Sequence, residues 1–260
     1  SDELKKKLKE LDRQKEEILL ENSYPKDYLK IHYHCDICKD TGFVKTQICR
    51  CRKKLIIEKK YSQSNISRLV QRENFRTFNA NLYSKNLYKD YPISPYENII
   101  RIQNDAKMYV ENFSKNYKNL YIFGDVGRGK TFLINSIAKE ILDRNYSVIY
   151  LTATKLFSFM NDYLYAFSER KEELKERYDL IFESDLLIID DLGSENDRNS
   201  NESNLFEIVN DRMINKKPII FSSNYSEDEL MEFYGDRIFS RIIGSSHVME
   251  IFGEDLRLLF

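Results

Sequence analysis

Residues 124–131 read GDVGRGKT, set between the apolar run NLYIF (119–123) and the helical pattern TFLINSIAKEIL. No other stretch limits the fold of the chain so sharply. The eight residues fit GxxxxGK(S/T), and chance agreement at the fixed positions somewhere in a chain this long is on the order of 1% at average composition. A strand before and a helix after are the context that such a phosphate-binding loop requires. Gly124, Gly127 and Gly129 let backbone N–H groups wrap phosphate oxygens without interference from a Cβ. Lys130 offers positive charge to β- and γ-phosphates, and Thr131 offers a hydroxyl to Mg²⁺. The helix N-terminus adds its own partial charge. Asp125, Val126, Arg128 and Phe132 complete the stretch expected against a nucleotide. Arg128 stands where a small or hydroxylated residue would be more comfortable, and is expected to shade the nucleotide or to contact a neighbouring chain.

A second acidic motif follows, LLIIDDLGSE at 186–195. Four apolar residues place Asp190 and Asp191 at the carboxyl end of a buried strand. There Asp190 would hold Mg²⁺ through water and Asp191 would polarise an attacking water. Alone, paired acids after an apolar run also describe an ordinary strand end; behind a phosphate-binding loop they carry more. Further strands are expected at 147–153, 218–224 and 247–252, and helices near 130–144 and 202–215. Strands alternating with helices imply an α/β fold, a central parallel sheet flanked by helices on both faces. No segment approaches the ~20 uncharged apolar residues of a membrane span, so no membrane partner is expected. The N-terminus lacks signal and transit patterns, which makes the cytoplasm the default location.

The total of 41 basic and 42 acidic residues hides a polar split. Residues 1–72 carry 18 Lys/Arg and 11 Asp/Glu, a net of +7, and the remainder carries −8. Two modules with different partners would explain this; two merely solvated surfaces would as well. Residues 2–21 form a helical pattern with Leu4, Leu8, Leu11 and Ile18 in a stripe interrupted by Lys15. One short stripe more often packs on its own domain than forms a coiled coil. All four cysteines fall in one short window as Cys35, Cys38, Cys49 and Cys51. Such crowding favours a structural zinc held by four thiolates, with Gly42 permitting the turn behind the first pair. His34 or His32 is an alternative ligand, and an iron–sulfur centre or redox thiols are alternative readings. The organisation expected is an N-terminal helix and zinc-binding module over 1–61, a linker with short ordered pieces over 62–98, and a core over 99–260.

With these motifs together, the chain resembles the AAA+ ATPases of the DnaC/DnaI-type replicative-helicase loader family. The resemblance covers most of residues 30–260 and rests on GDVGRGKT, DDLGSE, FSSNYS, YGDRIFSRI, GEDLR and the upstream CDICKDTGFV…CRC. It implies a P-loop AAA+ core that binds ATP with Mg²⁺ and assembles through its AAA+ interfaces. Asn224 then corresponds to the first sensor and Arg257 to the second. Arg241 corresponds to the finger that reaches a neighbouring subunit's γ-phosphate, with Arg237 as second candidate. The function implied is loading of a replicative DNA helicase onto single-stranded DNA, the zinc-bearing region gripping the helicase. Many AAA+ proteins carry Glu where Asp191 stands, which implies slow hydrolysis and makes Glu195 a candidate helper. The chain ends three residues after Arg257, so little helical lid is expected and a slow switch is favoured over a motor. Two other readings remain: a transposase helper of the IstB type, which shares the core but usually lacks the zinc module, and an ATP-gated adaptor with negligible hydrolysis.

Between the second strand and the acidic motif lies KLFSFMNDYLYAFSERKEELKERYDLIF, expected as one long helical stretch. Aromatics beside cations suit single-stranded nucleic acid, where bases stack and phosphates pair. The same spacing marks the buried face of any helix.

Overall fold

The computed structural model describes residues 2–60, 70–115, 118–195 and 198–259. The chain divides into two compact units, Ser1–Gln47 and Ile48–Phe260. The expected boundary between residues 61 and 62, and the first part of the expected linker up to residue 69, lie outside the described residues.

The first unit begins with α1 (Asp2–Glu21). Its end is set by Ser23, whose φ of 61° lets the N–H of Tyr24 reach the carbonyl of Leu19 at 2.8 Å and its own N–H reach Leu20 at 3.0 Å. That pair of bonds is the Schellman motif, and Pro25 prevents the helix from resuming. Leu19 is buried, but Leu4, Leu8, Leu11 and Ile18 are all exposed. The stripe expected to pack on its own domain is therefore uncovered. Beyond the helix, Asp40 accepts the N–H groups of His34 and Cys35 at 3.0 and 2.9 Å, and these bonds, His34 first, hold its carboxyl below the usual range. Gly42, at φ 75°, then turns the chain into the short hairpin β1 (Phe43–Val44) and β2 (Gln47–Ile48).

The second unit opens with α2 (Arg50–Lys60) and is built on five parallel strands. These are β3 (Asn119–Phe123), β4 (Val148–Thr152), β5 (Leu186–Leu192), β6 (Ile219–Ser223) and β7 (Ser246–Glu250). Their order across the sheet is β4-β5-β6-β3-β7. Helix α3 (Pro95–Asn112) precedes the first of these strands, and α4 (Lys130–Asp143), α5 (Ala153–Leu164), α6 (Ser168–Glu183), α7 (Arg198–Ile214) and α8 (Glu227–Gly244) make the crossovers. The two faces of the sheet sort by the period of two that a pleated strand imposes. Leu187 and Ile189 join Phe221 and Tyr121 in one core, whereas Leu186 and Ile188 join Ile220 and Leu120 in the other. Ser94 and Ser226 start α3 and α8 with capping boxes, each pairing with a Glu three residues on. Lys53 and Lys54 of α2 donate to the carbonyls of Glu183 and Leu142 at 2.6 and 2.7 Å, placing positive charge at the C-terminal ends of α6 and α4.

Three expectations change. The aromatic stretch is not one helix but two, broken between Leu164 and Ser168. The last strand ends at Glu250, so Ile251 and Phe252 are buried coil, Ile251 against the phosphate loop. Residues 70–98 do not behave as a linker: Val70 and Tyr83 are buried in the core on the α3–α4 side. No helix among the described residues is long and apolar enough to cross a membrane.

Arg212, near the end of α7, is fully buried. Its guanidinium donates to the carbonyls of Ile181, Phe182, Ser184 and Pro218 and to the Ser184 hydroxyl, at 2.6–3.3 Å. It satisfies the last carbonyls of α6 and ties them to the start of β6. Replacing Arg212 by Met removes the donor from the carbonyls of Ile181, Phe182 and Ser184, while the Pro218 carbonyl keeps the N–H of Leu187 at 3.3 Å; each buried acceptor left without a donor costs about 1–3 kcal/mol. Urea unfolding of Arg212→Met should show a loss on the order of 3 kcal/mol. Arg170→Ala, which breaks only the exposed pair with Glu173, should stay within about 0.5 kcal/mol.

Candidate nucleotide site

The carboxyl ends of β3, β5 and β6 open on a cleft of about 750 Å³. Its floor is the loop before α4. Gly124, Gly127 and Gly129 have φ of 144°, 78° and 92°, in the region that favours glycine. At Gly124 a Cβ would collide with the carbonyl of Ile251, and at Gly127 with the carboxylate of Asp255. Gly129 is the N-cap of α4 and supplies no side-chain acceptor, which leaves the first-turn N–H groups for a ligand. Of the residues expected against a nucleotide, Val126 to Phe132 and Arg257 line the cleft. Gly124 and Asp125 act from behind it, through their carbonyls.

Lys130 is buried, and its ammonium donates to Gly124 O at 2.6 Å, Asp125 O at 2.9 Å and Asn224 Oδ1 at 2.7 Å. Burial pulls its pKa down, while Asp191, Asp190 and Asp125 pull it up. Asn224, just beyond β6, thus meets the loop directly. Thr131 Oγ1 lies 3.4 Å from Asp190 Oδ2. A hydroxyl beside a carboxylate is the hard-oxygen donor set that Mg²⁺ takes, so the residues present fit that ion.

Asp190 and Asp191 are adjacent in sequence but differently placed. Asp190 is buried and accepts hydrogen bonds from the hydroxyls of Tyr150 and Ser222 and, at 3.2 Å, from the amide of Asp191. The β5–β6 register shifts between Ile189 and Leu192, and Asp191 takes a φ of 56°. This bulge turns Asp191 into the cleft. Burial and the neighbouring Asp190 raise its pKa, against the opposing charges of Lys130 and Arg257. Glu195, the candidate helper, is engaged elsewhere. Its carboxylate accepts from Tyr234 OH and from the N–H of Gly193 at 2.9 Å, and it does not line the cleft. Arg241 is also outside the cleft, with its guanidinium over Phe206.

Sequence reasoning missed one wall. Glu73, Thr77, Phe78, Asn79, Leu82 and Tyr83 line the cleft from the segment read as a linker. Tyr83 OH donates to the carbonyl of Arg128 at 2.9 Å, and Phe78 meets Phe132 edge-on at 5.3 Å. Burial raises the Tyr83 phenol well above its usual pKa. The signal in the sequence is the aromatic run FNANLY at 78–83, set among Asn and Ser residues that describe a loop. Tyr150 and Ser222 were missed too, since their meeting with Asp190 depends on strand register.

Far from the cleft in sequence, the Sγ atoms of Cys35, Cys38, Cys49 and Cys51 lie within 4.8 Å of one another. Sulfurs around a tetrahedral zinc with ~2.3 Å bonds are about 3.8 Å apart, so this donor set fits the ion. Neither histidine belongs to the group; His34 is exposed, with Nδ1 3.6 Å from Asp40.

The profile of the bacterial DnaA ATPase domain matches residues 97–247. The replicative helicase loader DnaC of Escherichia coli (strain K12) is 27% identical over 184 residues, covering 69% of this chain and 74% of DnaC. A structure of the replication initiator DnaA bound to AMPPCP and single-stranded DNA aligns at 28% identity and a TM-score of 0.51, over 58% of this chain and 45% of that one. The chain thus spans about half the length of that DnaA. The crystal structure of DnaI shares the fold, at 24% identity and a TM-score of 0.53, over 73% of this chain and all of that one. With more than half its length matched and the loop, acidic pair and parallel sheet in place, the chain belongs to the bacterial DnaA ATPase-domain family, as a AAA+ protein of the DnaC/DnaI type.

Proposed function

We propose that this protein is an ATP-dependent loader of a replicative DNA helicase onto single-stranded DNA, with ATP bound at subunit interfaces as a slow switch. One observation carries the proposal: the cleft gathers Lys130, Thr131, Asp191, Asn224 and Arg257, while Arg241 lies outside it. One chain holds the phosphate site and a second supplies the finger. Lys130 exchanges its three oxygen acceptors for the β- and γ-phosphates, and Asn224, released from it, orients the attacking water. Asp191, its pKa raised, is the stronger base for polarising that water. Thr131 and, through water, Asp190 would hold Mg²⁺, which would supply positive charge to the phosphates. Arg257 faces Asp191 across the cleft and senses the same phosphates.

The relative named a replicative helicase loader supports the helicase as partner. Zinc at the four cysteines would order the basic N-terminal region, whose exposed Tyr28, Ile31, Ile37 and Phe43 offer the apolar contact a protein partner needs. The same module favours a loader over an IstB-type helper. For single-stranded DNA the best support is the turn between α5 and α6. Phe157 and Phe159 are core, but Tyr165 and Phe167 are 74% and 87% exposed, with Arg170 and Lys171 next to them.

Elemental analysis of protein purified without chelator should find about one zinc per chain, lost in the Cys35→Ser/Cys38→Ser double variant. That variant should keep ATP affinity and lose co-elution with the replicative helicase. Protein without zinc overturns the module's assignment.

The double variant Tyr165→Ala/Phe167→Ala should weaken single-stranded DNA binding at least ten-fold, since each stacked base contributes about 1–3 kcal/mol. Its ATP affinity should match the wild type; unchanged DNA affinity would remove this surface from the proposal.

The interface reading is tested by mixing. Arg241→Ala and Asp191→Asn should each bind ATP and turn over slowly. Together they form some interfaces with an intact Asp191 on one side and an intact Arg241 on the other, so part of the turnover should return. No recovery in co-assembled variants rules out a finger acting in trans.

A further inference from the structure

Arg237 and Arg241 lie one turn apart on α8, beyond the kink at Gly235, where φ is 75° and ψ 165°. Both guanidinium groups stack on one ring. Their carbons sit 3.7 and 4.4 Å from the ring centroid of Phe206, which projects from α7. Arg241 Nη1 donates to the carbonyl of Arg237 at 2.9 Å, and Arg241 Nε is buried with no acceptor. Among the described residues neither arginine forms an ion pair with an acid.

This arrangement is unusual for surface arginines, which ordinarily find a carboxylate on a chain so rich in them. Two like charges over one ring repel each other, and a buried donor without an acceptor is unfavourable. The negative face of the ring offsets part of this by cation–π attraction. It also fixes the plane of each guanidinium, the feature that makes arginine suited to paired bonds with phosphate oxygens. Phe206 itself is anchored, since it packs against the core between α7 and α8. A rigid ring holding two cations with no acid paired to either among the described residues suits an anion brought from outside them. Neither arginine lines the chain's own cleft.

We infer that Phe206 is a positioning residue, which presents Arg237 and Arg241 as a pair to the polyphosphate of a nucleotide bound by a second copy of this chain. The inference rests on the trans-acting reading of Arg241 proposed above. Phe206 touches no phosphate; it acts through the two arginines.

The test uses the full chain. Phe206→Leu should bind a fluorescent ATP analogue with wild-type affinity, melt within a few degrees of the wild type and turn over on the order of ten-fold more slowly. Phe206→Tyr keeps the ring face and should restore turnover. In mixtures, Phe206→Leu should regain activity with Asp191→Asn and gain none with Arg241→Ala, because it fails on the same side of the interface as the arginines. A merely structural defect would show no such preference for side. Wild-type turnover in Phe206→Leu beside an impaired Arg241→Ala overturns this inference alone, as does recovery between Phe206→Leu and Arg241→Ala. Wild-type turnover in both Arg237→Ala and Arg241→Ala overturns the trans-acting reading and this inference with it. Should Phe206→Leu not fold, Phe206→Met, similar in volume and without a ring, takes its place; unfolding of both would make Phe206 a core residue and overturn the inference.

Discussion

The ammonium of Lys130 is the point on which the site depends. A buried cation is costly unless its donors are met, and all three of its N–H groups have oxygen acceptors. Two of those acceptors belong to the loop and the third to Asn224, so one side chain fixes the loop against the end of β6. The sheet makes that meeting possible. β3 and β6 are parallel neighbours with Phe123 level with Ser223, and Gly124 and Asn224 therefore leave the sheet side by side. β3 is also where the strand order reverses, with β7 on its other side. Ligands of open α/β sheets bind at such a point, outside the carboxyl ends of the strands.

A single irregularity in β5 separates the two acids. In a regular strand Asp190 and Asp191 would point to opposite faces, and Asp191 would enter the core. The bulge adds one residue, places Asp191 in the left-handed region and sends its carboxylate to the cleft. Asp190 stays buried, with both oxygens occupied by hydroxyls from β4 and β6. Two carboxylates with separate environments take separate roles: one is held rigid beside Thr131, the other is left basic and accessible. The left-handed conformation costs Asp191 roughly 1 kcal/mol, less than it would cost a β-branched residue.

What was legible in the sequence follows from how local the determining chemistry is. NLYIF and the loop after it are legible to the residue, because strand, glycines and lysine are contiguous. The parallel sheet was legible from alternation, and the cysteine cluster from spacing. The roles of Tyr150 and Ser222 were not, because each is fixed by which strands are neighbours and in what register. The segment 70–98 misled for a different reason. Its Asn and Ser describe a loop correctly, yet Tyr83, Phe78 and Leu82 anchor that loop on the core. In the aromatic stretch, spacing alone does not separate Phe157, which is buried, from Phe167, which is exposed. The leucine stripe of α1 erred the other way: it has the pattern of a packed helix and an exposed face.

The anchored segment, whose 3₁₀ turn Ala80–Leu82 stands at the cleft, also explains how the cleft holds its shape. Tyr83 bonds the carbonyl of Arg128, and Phe78 abuts Phe132, so the segment is fixed to the start of α4. Further along, Tyr91 stacks on Phe252 at 3.7 Å and donates to Glu250 at 2.6 Å, which fixes it to the end of β7. From there the chain returns to the loop, as the N–H of Leu256 reaches the carbonyl of Gly127 at 3.0 Å. Wall, loop and the turn that carries Arg257 therefore form a closed circuit of contacts. In a densely packed interior such a circuit does not yield at one point only. A phosphate that draws Lys130 away from Gly124 and Asp125 displaces the same loop that Tyr83 and Leu256 hold. The wall and the turn that bears Arg257 are thus mechanically coupled to Lys130, a side chain proposed to meet the phosphates.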